Sequence, residues 1–542
     1  MLTSILSRLR PSWFPPFVKG HTSTPTTSRD PEISPLDIED EPLEIAIIGC
    51  GIIGAILALG LLAKNIKVTV YEQAQSPRES GAGIAFTANA RRCMSMIDER
   101  IVDCVAAVAT TNGDPRNPNN NMQFIDGYTH DPDGLDDMSW KKLYALATGP
   151  KGFEGCHRAH FLEEIRRLIP GGVVKLGKRL DRVEDYGVGK VLLRFCDGSV
   201  GRADAVIGCD GIKSRVRELI LGEGNPASYP HYTHKVAYRG LVPMQEATAR
   251  LGHYRAHNQH MYGGPNAHVL HFPVAKQTLM NVVAFVTDPN DWPLDRSMSQ
   301  LATKDEVAGA FADWGPTVRD IIDLLPAELE KWGVFDSLDC PAPTYSRGRV
   351  CIAGDAAHAS SPHHGAGAGI GIEDVLALTV LLDMVQSRVK TPGGRKTVAL
   401  QAAFAAFSAV RRDRSQWLVR SSREACEIYE WNDLQCGSDM DKGYDEIKRR
   451  SHKIWHFDID GDWNGKARRC PAGESWPGRA VVQLVGEGSW HDAGGRGSLG
   501  RAPSWTRRWS PSSPGLVLLH WDTVRCGPSI SQERKDWLTL DY

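Results

Sequence analysis

The sequence lacks an excess of either charge and lacks paired cysteine motifs. Its 542 residues include 63 Lys or Arg and 65 Asp or Glu, which gives a formal net charge of −2. A nucleic-acid-binding module carries a basic stripe, so this composition argues against one. The 12 cysteines are scattered from Cys50 to Cys526 without a C-x-x-C pair, which removes support for zinc ribbons and thioredoxin-like sites. We interpret them as free thiols in a reducing compartment.

A convincing membrane span and several common catalytic motifs are also lacking. The most apolar run, Ile45 to Ala63, approaches the length that crosses a bilayer. Three glycines interrupt this run and Lys64 and Lys67 follow it, so a buried strand, a turn and a buried helix explain it better. No P-loop or G-x-S-x-G nucleophile elbow is present. His452 and His456 have no third ligand in a metal-binding context, so no metal is expected.

The two ends of the chain differ from its middle. Residues 1 to 42 are rich in Pro, Ser and Thr without core periodicity, and we predict a disordered leader. Because basic residues precede the first acid, Asp30, a mitochondrial presequence is the alternative to a cytoplasmic protein. Residues 456 to 542 are dominated by Gly, Arg, Ser, Pro and Trp without a sustained period. We predict a disordered tail there, or a stretch that was not selected for folding.

The middle of the chain alternates between strand and helix patterns. Short strands are predicted at 191–194 and 203–207, and antiparallel strands of a second sheet at 266–287. Apolar residues at helical spacing predict helices at 375–385 and 398–419. The segment from Asn112 to Asp137, which is rich in Asn, Asp, Gly and Pro, is predicted to be a long surface excursion.

A glycine motif of the dinucleotide-binding type follows the apolar strand EIAIIG. Gly49 permits a tight turn, Gly51 lets the backbone approach a pyrophosphate, and Gly54 lets the helix pack close to the strand. Glu72 ends the next strand, VTVYE, and is placed to accept hydrogen bonds from a ribose diol. A second G-x-G-x-x-G at 495–500 has no strand before it and no acid after it, so we discard it.

Three further segments place polar groups beside glycine-rich turns. Gly83 lies in a Gly-Ala-Gly turn, and Arg158 opens an amphipathic helix pattern. The strand ADAVIGCDG delivers Asp210 to the sheet edge at which ligands bind. The strongest signal is GDAAH, which contains Asp355 and runs on into PHHGAGAGIGIED. There a glycine-rich turn begins a helix, whose free N–H groups point at something negative or electron-rich.

These motifs, in this order, resemble the FAD-dependent aromatic hydroxylases of the single-component (class A) flavoprotein monooxygenases. The likeness is strongest to salicylate-hydroxylase-like members and fungal polyketide or meroterpenoid tailoring members, and it runs from about Leu43 to Trp455. It implies an α/β fold in which a Rossmann-type FAD-binding domain is interleaved with a smaller antiparallel-sheet substrate domain and C-terminal helices. The implied FAD-binding parts are about 43–120, 150–225 and 340–390, and the implied substrate sheet is about 226–339.

The resemblance also implies roles for individual residues. Glu72 is expected to bind the adenosine ribose, Asp355 the ribityl or pyrophosphate region, and Ala368 to lie near the isoalloxazine. Asp210 is expected to serve both FAD and NAD(P)H binding. The full set of implied cofactor-binding residues is Gly49, Gly51, Gly54, Glu72, Gly83, Arg158, Asp210, Asp355 and Ala368.

The implied activity is hydroxylation of a small aromatic or polyketide-like molecule in secondary metabolism. In this family NAD(P)H reduces FAD, O2 adds at the flavin C4a carbon, and the hydroperoxide transfers one oxygen atom to an electron-rich carbon. The alternatives are epoxidation of an isoprenoid or meroterpenoid intermediate, and a flavin-binding protein that no longer turns over.

Candidates for substrate contact are fewer. By resemblance, Tyr238 is expected to pair with an arginine to bind a phenolate; Arg215 is the first candidate for that arginine and Arg239 the second. Equally, Tyr238 would be a packed aromatic residue and Arg215 a helix-end charge. His363 and His364 flank the flavin loop and would either take part in catalysis or fill space.

Overall fold

The structure is a computed structural model of the chain. The predicted leader lies outside the described residues except for residue 42, and the predicted tail lies outside them except for residues 456–459. The described residues are 42–76, 83–114, 117–118, 121–131, 143–147, 154–293, 297–389 and 396–459.

The α-helices of the described residues are α1 (Ile52–Ala63), α2 (Ala88–Ile97), α3 (Glu99–Val108), α4 (Arg158–Leu168), α5 (Arg215–Leu221), α6 (Met244–Leu251), α7 (His253–His257), α8 (Lys304–Ala310), α9 (Pro316–Asp323), α10 (Asp355–His358), α11 (Gly367–Val389), α12 (Lys396–Tyr429) and α13 (Met440–Trp455). The predicted helices at 375–385 and 398–419 are confirmed, since they lie within α11 and α12.

A six-stranded sheet, parallel except at one edge, forms the first layer. Its central strand pairs in parallel on both sides, with Ile45 opposite Ala205 and opposite Val68. In spatial order its strands are Val174–Lys175, Lys67–Tyr71, Glu44–Ile48, Ala205–Gly208, Val350–Ile352 and Ser346–Arg347. These strands come from before and after the second sheet in the sequence, so the two layers are interleaved along the chain.

The apolar run that begins at Ile45 is buried as a strand, a turn and a helix, as the sequence predicted. The strand Glu44–Ile48 is apolar from its second residue onwards because both of its faces are covered there, which is typical of parallel sheets. Helix α1 is apolar on all sides because it lies between the sheet and α11. In the part of the chain that the structure describes, no helix combines the length and apolarity needed to cross a membrane.

An eight-stranded, mostly antiparallel sheet forms the second layer. Its longest strand, His231–Pro243, pairs with Leu279–Thr287 on one side and Glu328–Asp336 on the other. In spatial order the strands are Ser299–Thr303, Glu328–Asp336, His231–Pro243, Leu279–Thr287, Ala267–Val274, His260–Gly264, Asn121–Asp126 and Leu143–Ala147. The antiparallel strands predicted at 266–287 are confirmed.

The predicted surface excursion from Asn112 to Asp137 is wrong in its centre. Asn121–Asp126 is a strand of the eight-stranded sheet, paired in parallel with His260–Gly264. Phe124 is 2% exposed and Ile125 is 1% exposed. The prediction failed because turn-forming residues flank this short strand on both sides and outweigh its own pattern. The segment is a strand because it packs against the sheet.

Three smaller sheets complete the strands of the described residues. The predicted strands at 191–194 and 203–207 are confirmed, the second as part of two adjoining strands. The smaller sheets consist of Leu180–Glu184, Val191–Phe195 and Val200–Ala203; of Gly83–Ala85, Glu154–His157 and Thr110–Thr111; and of Gly113–Asp114 and Asn117–Pro118.

The folded core extends slightly beyond the predicted boundary at Trp455. Ile459 is 1% exposed and belongs to the same apolar core as the six-stranded sheet. The guanidinium of Arg414 lies 3.9 Å from the centre of the Phe457 ring. The first residues after α13 therefore pack against the half of the protein that is built around the six-stranded sheet. We call it the cofactor half, because most of the predicted cofactor-binding residues belong to it.

Replacing Gly54 with alanine is expected to destabilise the fold. A Cβ atom at Gly54 would lie 2.0 Å from the carbonyl oxygen of Gly49, a backbone atom that cannot rotate away. Overpacking of this kind costs about 2 kcal/mol or more, so Gly54→Ala should lower the thermal unfolding temperature. Gly171→Ala is the matched control, because a Cβ atom there meets nothing within 4 Å. Equal unfolding temperatures for the two variants would contradict the close packing.

Candidate active site

The turn between the first strand and α1 is built for a close approach of backbone to a ligand. Gly49 has a φ of 96°, and a Cβ atom there would lie 2.5 Å from the carbonyl oxygen of Cys209. A side chain at Gly51, by contrast, would meet no protein atom within 4 Å. The first glycine is therefore required by the fold, whereas the second leaves open space at the N-terminus of α1.

Glu72 lies at the mouth of this space. It follows the strand Lys67–Tyr71, and the carboxyl ends of parallel strands are where such sheets bind ligands. Its Oε2 accepts a hydrogen bond from the N–H of Cys50 at 2.7 Å, and its Oε1 accepts one from the N–H of Ala74 at 2.8 Å. These bonds hold the carboxylate beside the glycine turn.

A cavity of about 580 Å³ opens between this turn and the adjacent strand ends. It brings together six residues that the sequence singled out: Gly49, Gly51, Glu72, Arg158, Asp210 and Arg215. Helix α1 points its N-terminus at the turn, where free N–H groups and the helix dipole favour an anion. The space at Gly51, the carboxylate of Glu72 and the cation of Arg158 fit the pyrophosphate and ribose of a dinucleotide.

Asp210 lies in the cavity wall, but its carboxylate also organises the protein. Its Oδ1 accepts a hydrogen bond from the hydroxyl of Ser214 at 2.6 Å, and its Oδ2 accepts one from the N–H of Val216 at 3.1 Å. Burial raises the pKa of Asp210 despite these bonds. Asp210 therefore fixes the start of α5 at the edge of the cavity.

Asp355 lies where the strand Val350–Ile352 ends and α10 begins. Its side chain is exposed, yet the surrounding protein raises the pKa of its carboxyl by desolvation, against the charges of His358 and Arg158. Among the described residues no group donates a hydrogen bond to it. An acceptor that is held in place without a donor suits the hydroxyls of a bound cofactor.

The glycine-rich loop brings the N-terminus of α11 next to that of α1. A Cβ atom at Gly371 would lie 2.6 Å from Cδ1 of Ile53, and 3.3 Å from the Cα of Gly354. Ala368, in the first turn of α11, is half-buried beside this contact. Two helix N-termini therefore converge on one region. The place near the isoalloxazine that the resemblance implies for Ala368 stays a prediction.

Gly83 is placed where the two halves of the protein meet. It pairs with His157 at the edge of a small sheet, and a Cβ atom there would lie 2.8 Å from the ring of Phe272. Phe272 belongs to the eight-stranded sheet. One face of that sheet, which we call the inner face, is thus turned towards the cofactor half.

A buried ion network anchors the loop around Asp355. Asp374, in α11, accepts hydrogen bonds on Oδ2 from the N–H of Gly354 at 3.0 Å and from Nε2 of His358 at 2.5 Å. Its Oδ1 accepts a hydrogen bond from Nε of Arg411 at 2.7 Å. Burial would raise the pKa of Asp374, but the charges of His358 and Arg411 hold it below its ordinary value.

Glu373 extends this network to the next part of α12. Its carboxylate pairs with Arg411 at 2.8 Å and with Arg414 at 3.1 Å, and it accepts a hydrogen bond from Nδ2 of Asn89 at 2.6 Å. The sequence analysis included these acidic residues in a motif but assigned them no role. Their basic partners in α12 were missed, because 37 and 41 residues separate them from the acids.

The expected pair of Tyr238 and Arg215 requires a correction, because the structure does not bring them together. Tyr238 donates a hydrogen bond to Oε1 of Glu306 at 2.7 Å and packs on the outer face of the eight-stranded sheet, beneath α8 and α9. Arg215 lies at the cofactor cavity, where its guanidinium pairs with Glu218 at 2.6 Å and Glu223 at 2.8 Å. Tyr238 is therefore a packed aromatic residue, and Arg215 is a charge at the end of a helix, as the alternative interpretation of each residue held.

Arg239, the second candidate, is on the inner face because successive residues of a strand point to opposite faces. Its guanidinium lies 4.8 Å from the centre of the Trp332 ring, and its Nε has no hydrogen-bond partner among the described residues. Burial, together with the nearby charge of Arg158, lowers the pKa of Arg239 against the opposing charge of Glu330. A desolvated guanidinium of this kind is suited to an anion.

The two histidines of the flavin loop differ in their surroundings. His364 shares a hydrogen bond of 2.9 Å with the hydroxyl of Ser421, and burial lowers its pKa to about 4. His363 is buried with neither ring nitrogen bonded in the described part of the chain. Its ring lies 5.2 Å from that of His268 and 4.9 Å from that of Phe285, both on the inner face.

His268 was missed by the sequence analysis, together with Glu430, which binds it. The available signal was a histidine within an otherwise apolar alternating strand, AHVLHFPV. That pattern alone favours a histidine packed in the core. The buried polar cluster can be recognised only from the partner, Glu430, which lies 162 residues away in the sequence.

Comparison with known proteins agrees with this geometry. A family model described as an FAD binding domain matches residues 198–391. The FAD-dependent monooxygenase pigN of Monascus ruber is 52% identical over 423 residues, covering 78% of this chain and 95% of that protein. Salicylate hydroxylase asL1 of Sarocladium schorii is 48% identical over 434 residues, covering 78% and 90%. A solved salicylate hydroxylase substrate complex is 31% identical, with a TM-score of 0.66 over 78% of this chain and 97% of that one.

Replacing Gly51 with alanine is expected to weaken FAD binding without destabilising the protein. The new Cβ atom meets no protein atom within 4 Å, but it occupies the space through which backbone approaches a pyrophosphate. Flavin released on denaturation should fall at least several-fold per mole of protein, while thermal unfolding of the flavin-free form stays unchanged. Full flavin content in Gly51→Ala would contradict this location for the pyrophosphate.

Proposed function

Because this chain belongs to the family of FAD-dependent monooxygenases that includes salicylate hydroxylase, we propose that it hydroxylates a small aromatic or polyketide-like substrate. The reductant in this proposal is NAD(P)H and the oxidant is O2. When bound, FAD supplies the electron transfer from the nicotinamide and the activation of oxygen. The fungal sources of the relatives described above favour a role in secondary metabolism.

The observation that carries the proposal is the meeting of two differently built surfaces. On one side, the N-termini of α1 and α11 converge beside an open space. On the other, the inner face of the eight-stranded sheet presents apolar side chains, one desolvated guanidinium and buried imidazoles. A redox cofactor held by the first surface would react with an aromatic molecule held by the second.

The cofactor half would hold the ribose, the pyrophosphate and the ribityl chain of FAD. Glu72 would accept hydrogen bonds from the adenosine ribose, and the N-terminus of α1 at Gly51 would hold the pyrophosphate. Asp355 would accept hydrogen bonds from the ribityl hydroxyls. Arg158, whose charge reaches Asp355, would neutralise phosphate charge between them.

The inner face suits a substrate that is flat, apolar and weakly acidic. Phe285 is 4% exposed and Val283 is 8% exposed, and both belong to one apolar cluster with Ala237. Trp332 packs against this cluster and lies beneath Arg239. An aromatic ring would pack on these side chains while Arg239 binds its hydroxyl oxygen as a phenolate, which makes the oxygen-accepting carbon more electron-rich.

The proposal is tested by purifying the protein and following NADPH and NADH oxidation across a panel of phenols and prenylated phenols. We expect yellow protein that releases FAD on denaturation. We also expect substrate-stimulated oxidation of the nicotinamide and a product one oxygen atom heavier by mass spectrometry. Colourless protein without flavin would overturn the proposal. Oxygen added only to a prenyl double bond would indicate an epoxidase, and oxidation that no substrate stimulates would indicate a non-catalytic flavoprotein.

Arg239→Met is expected to impair substrate binding rather than cofactor binding. Hydrogen bonds to a charged group contribute about 1.5–3 kcal/mol, so kcat/KM for a phenolic substrate should fall about ten-fold or more while flavin content is retained. Tyr238→Phe is the matched control on the same strand, because its hydroxyl bonds Glu306 on the outer face. A larger loss of kcat/KM in Tyr238→Phe than in Arg239→Met would contradict the proposal that the substrate binds on the inner face of the sheet.

A further inference from the structure

A cluster of metal-ligating side chains beside the flavin loop has no role in the function proposed so far. One ring nitrogen of His268, one of His363 and Sγ of Cys426 lie within 4.8 Å of one another, and all three residues are buried. Imidazole nitrogen and thiolate sulfur are the atoms with which proteins most often bind zinc. The cluster therefore has the composition of a metal site.

The three side chains come from parts of the chain that are far apart in the sequence. His268 lies in the strand Ala267–Val274, His363 in the flavin loop before α11, and Cys426 in the last turn of α12. Short spacings such as that of His452 and His456 are what a search of the sequence for metal ligands detects. The cluster forms only when the sheet, the loop and the helix pack together.

Glu430 prepares His268 to bind a metal through Nε2. Oε2 of Glu430 accepts hydrogen bonds from the ammonium of Lys235 at 2.5 Å and from the hydroxyl of Thr287 at 2.9 Å, as an ionised carboxylate does. Oε1 lies 3.1 Å from Nδ1 of His268. Because an ionised carboxylate only accepts hydrogen bonds, Nδ1 is the donor and the lone pair of the ring is on Nε2. Metal-binding histidines almost always donate their other ring N–H in this way.

The ring nitrogens of the cluster are buried without partners. Nε2 of His268 and both ring nitrogens of His363 have no hydrogen-bond partner among the described residues. His268 is fully buried, and His363 is 6% exposed. Their ring centroids lie 5.2 Å apart, and His268 is stacked on Phe285 at 4.5 Å. A buried polar group without a partner destabilises the protein, and a ligand between the two imidazoles would remove that cost.

The thiol of Cys426 is held beside the same carboxylate. It donates a hydrogen bond to Oε1 of Glu430 at 3.3 Å. Burial raises the pKa of this thiol well above its ordinary value, so the thiol keeps its proton until a cation binds. On binding, the S–H bond breaks, its electron pair stays on sulfur to coordinate the ion, and the proton leaves to solvent.

The charges around the cluster can balance a divalent cation. Nζ of Lys235 lies 2.5 Å from Glu430 and 3.2 Å from Glu427, so two carboxylates share one ammonium. The thiolate of Cys426 would add a second unbalanced negative charge when an ion binds. A cation with two positive charges would neutralise both.

We propose that His268, His363 and Cys426 form an inhibitory binding site for a thiophilic divalent cation, Zn²⁺. Zn²⁺ binds nitrogen at about 2.0 Å and sulfur at about 2.3 Å, so the ligand atoms of one ion lie about 3–4 Å apart. Small movements of the three side chains would bring their atoms to that spacing. Three protein ligands leave a fourth position for water, and Glu430 is the positioning residue of His268.

The bound ion would fix the flavin loop against the inner face. It would join His363 to the sheet and to α12, and it should raise the unfolding temperature because it binds only the folded protein. The ion would also occupy the space beside Phe285 on which the aromatic substrate is proposed to pack, so turnover should fall. The inhibition rests on the proposed function, whereas the binding of the ion does not.

Binding is tested on the FAD-loaded protein without substrate, by titration with Co²⁺ as a spectroscopic substitute for Zn²⁺. Co²⁺ with few ligands, one of them a thiolate, absorbs strongly at wavelengths longer than those that oxidised flavin absorbs. Co²⁺ on exposed histidines keeps most of its water ligands and absorbs weakly. We expect the strong absorption to saturate at one Co²⁺ per chain and to disappear when excess Zn²⁺ is added.

Two variants should lower the strong absorption at least several-fold. Cys426→Ser keeps the size of the side chain and a hydroxyl that can bond Glu430, but it removes the thiolate. His268→Phe keeps the ring stack on Phe285 and leaves Glu430 with Lys235. Cys436→Ser is the matched control, because Cys436 is a second buried thiol, 9% exposed, outside the cluster. Its absorption should equal that of the wild type.

His452→Ala controls for binding at the surface. His452 and His456 are exposed on one side of α13 and the C-terminal residue after it, with ring centroids 5.3 Å apart, so they can hold a cation by themselves. The strong absorption, the rise in unfolding temperature and the inhibition of substrate-stimulated NAD(P)H oxidation by Zn²⁺ should all survive in His452→Ala.

Three results would overturn the inference. The first is a wild-type holoenzyme without the strong absorption. The second is an absorption that persists in both Cys426→Ser and His268→Phe, or that is lost in His452→Ala. The third is bound Zn²⁺ that leaves substrate-stimulated NAD(P)H oxidation unchanged. A protein that binds the cation at this cluster but never oxidises NAD(P)H would contradict the proposed function and support the site. Flavin content and thermal unfolding of each variant identify a failure to fold, in which case the other variant decides.

Discussion

The arrangement of the cofactor half depends on four buried charges in α11 and α12. Glu373 and Asp374 are fully buried, Arg411 is fully buried, and Arg414 is 6% exposed. Removing one partner of such a pair leaves an uncompensated charge in the interior, which costs about 3–5 kcal/mol. Removal of any one of the four side chains would therefore leave a buried charge without its partner. Together they fix how the two longest helices lie against each other.

The same charges also fix the loop that would hold the cofactor. Asp374 bonds both the backbone of Gly354 and the ring of His358, and these two residues flank Asp355. The carboxylate of Asp355 accepts no hydrogen bond from the described residues, because its neighbours, rather than its own side chain, anchor the loop. The buried hydrogen bonds of Asp374 therefore hold the loop in place and leave the carboxylate of Asp355 available to a ligand.

The parts of the site that could be predicted from the sequence are local. Gly49, Gly51 and Glu72 belong to one strand–turn–helix–strand unit, so their spacing alone predicts that they meet. Tyr238 and Arg239 could not be separated in this way, since a shift of one residue moves a side chain to the other face of a strand. His268 and Glu430 meet through the pairing of a strand with the end of a helix far away in the chain, for which spacing gives no signal.

Two arginines lie close to each other where the two halves of the protein meet. Arg158 and Arg239 lie close enough that the charge of Arg158 lowers the pKa of Arg239. Glu430 gives no net negative charge there, because Lys235 is paired with it at 2.5 Å. Burial lowers the pKa of both His268 and His363. Like charges held near each other are stabilised by an anion between them, so an anion bound at this face would stabilise both arginines.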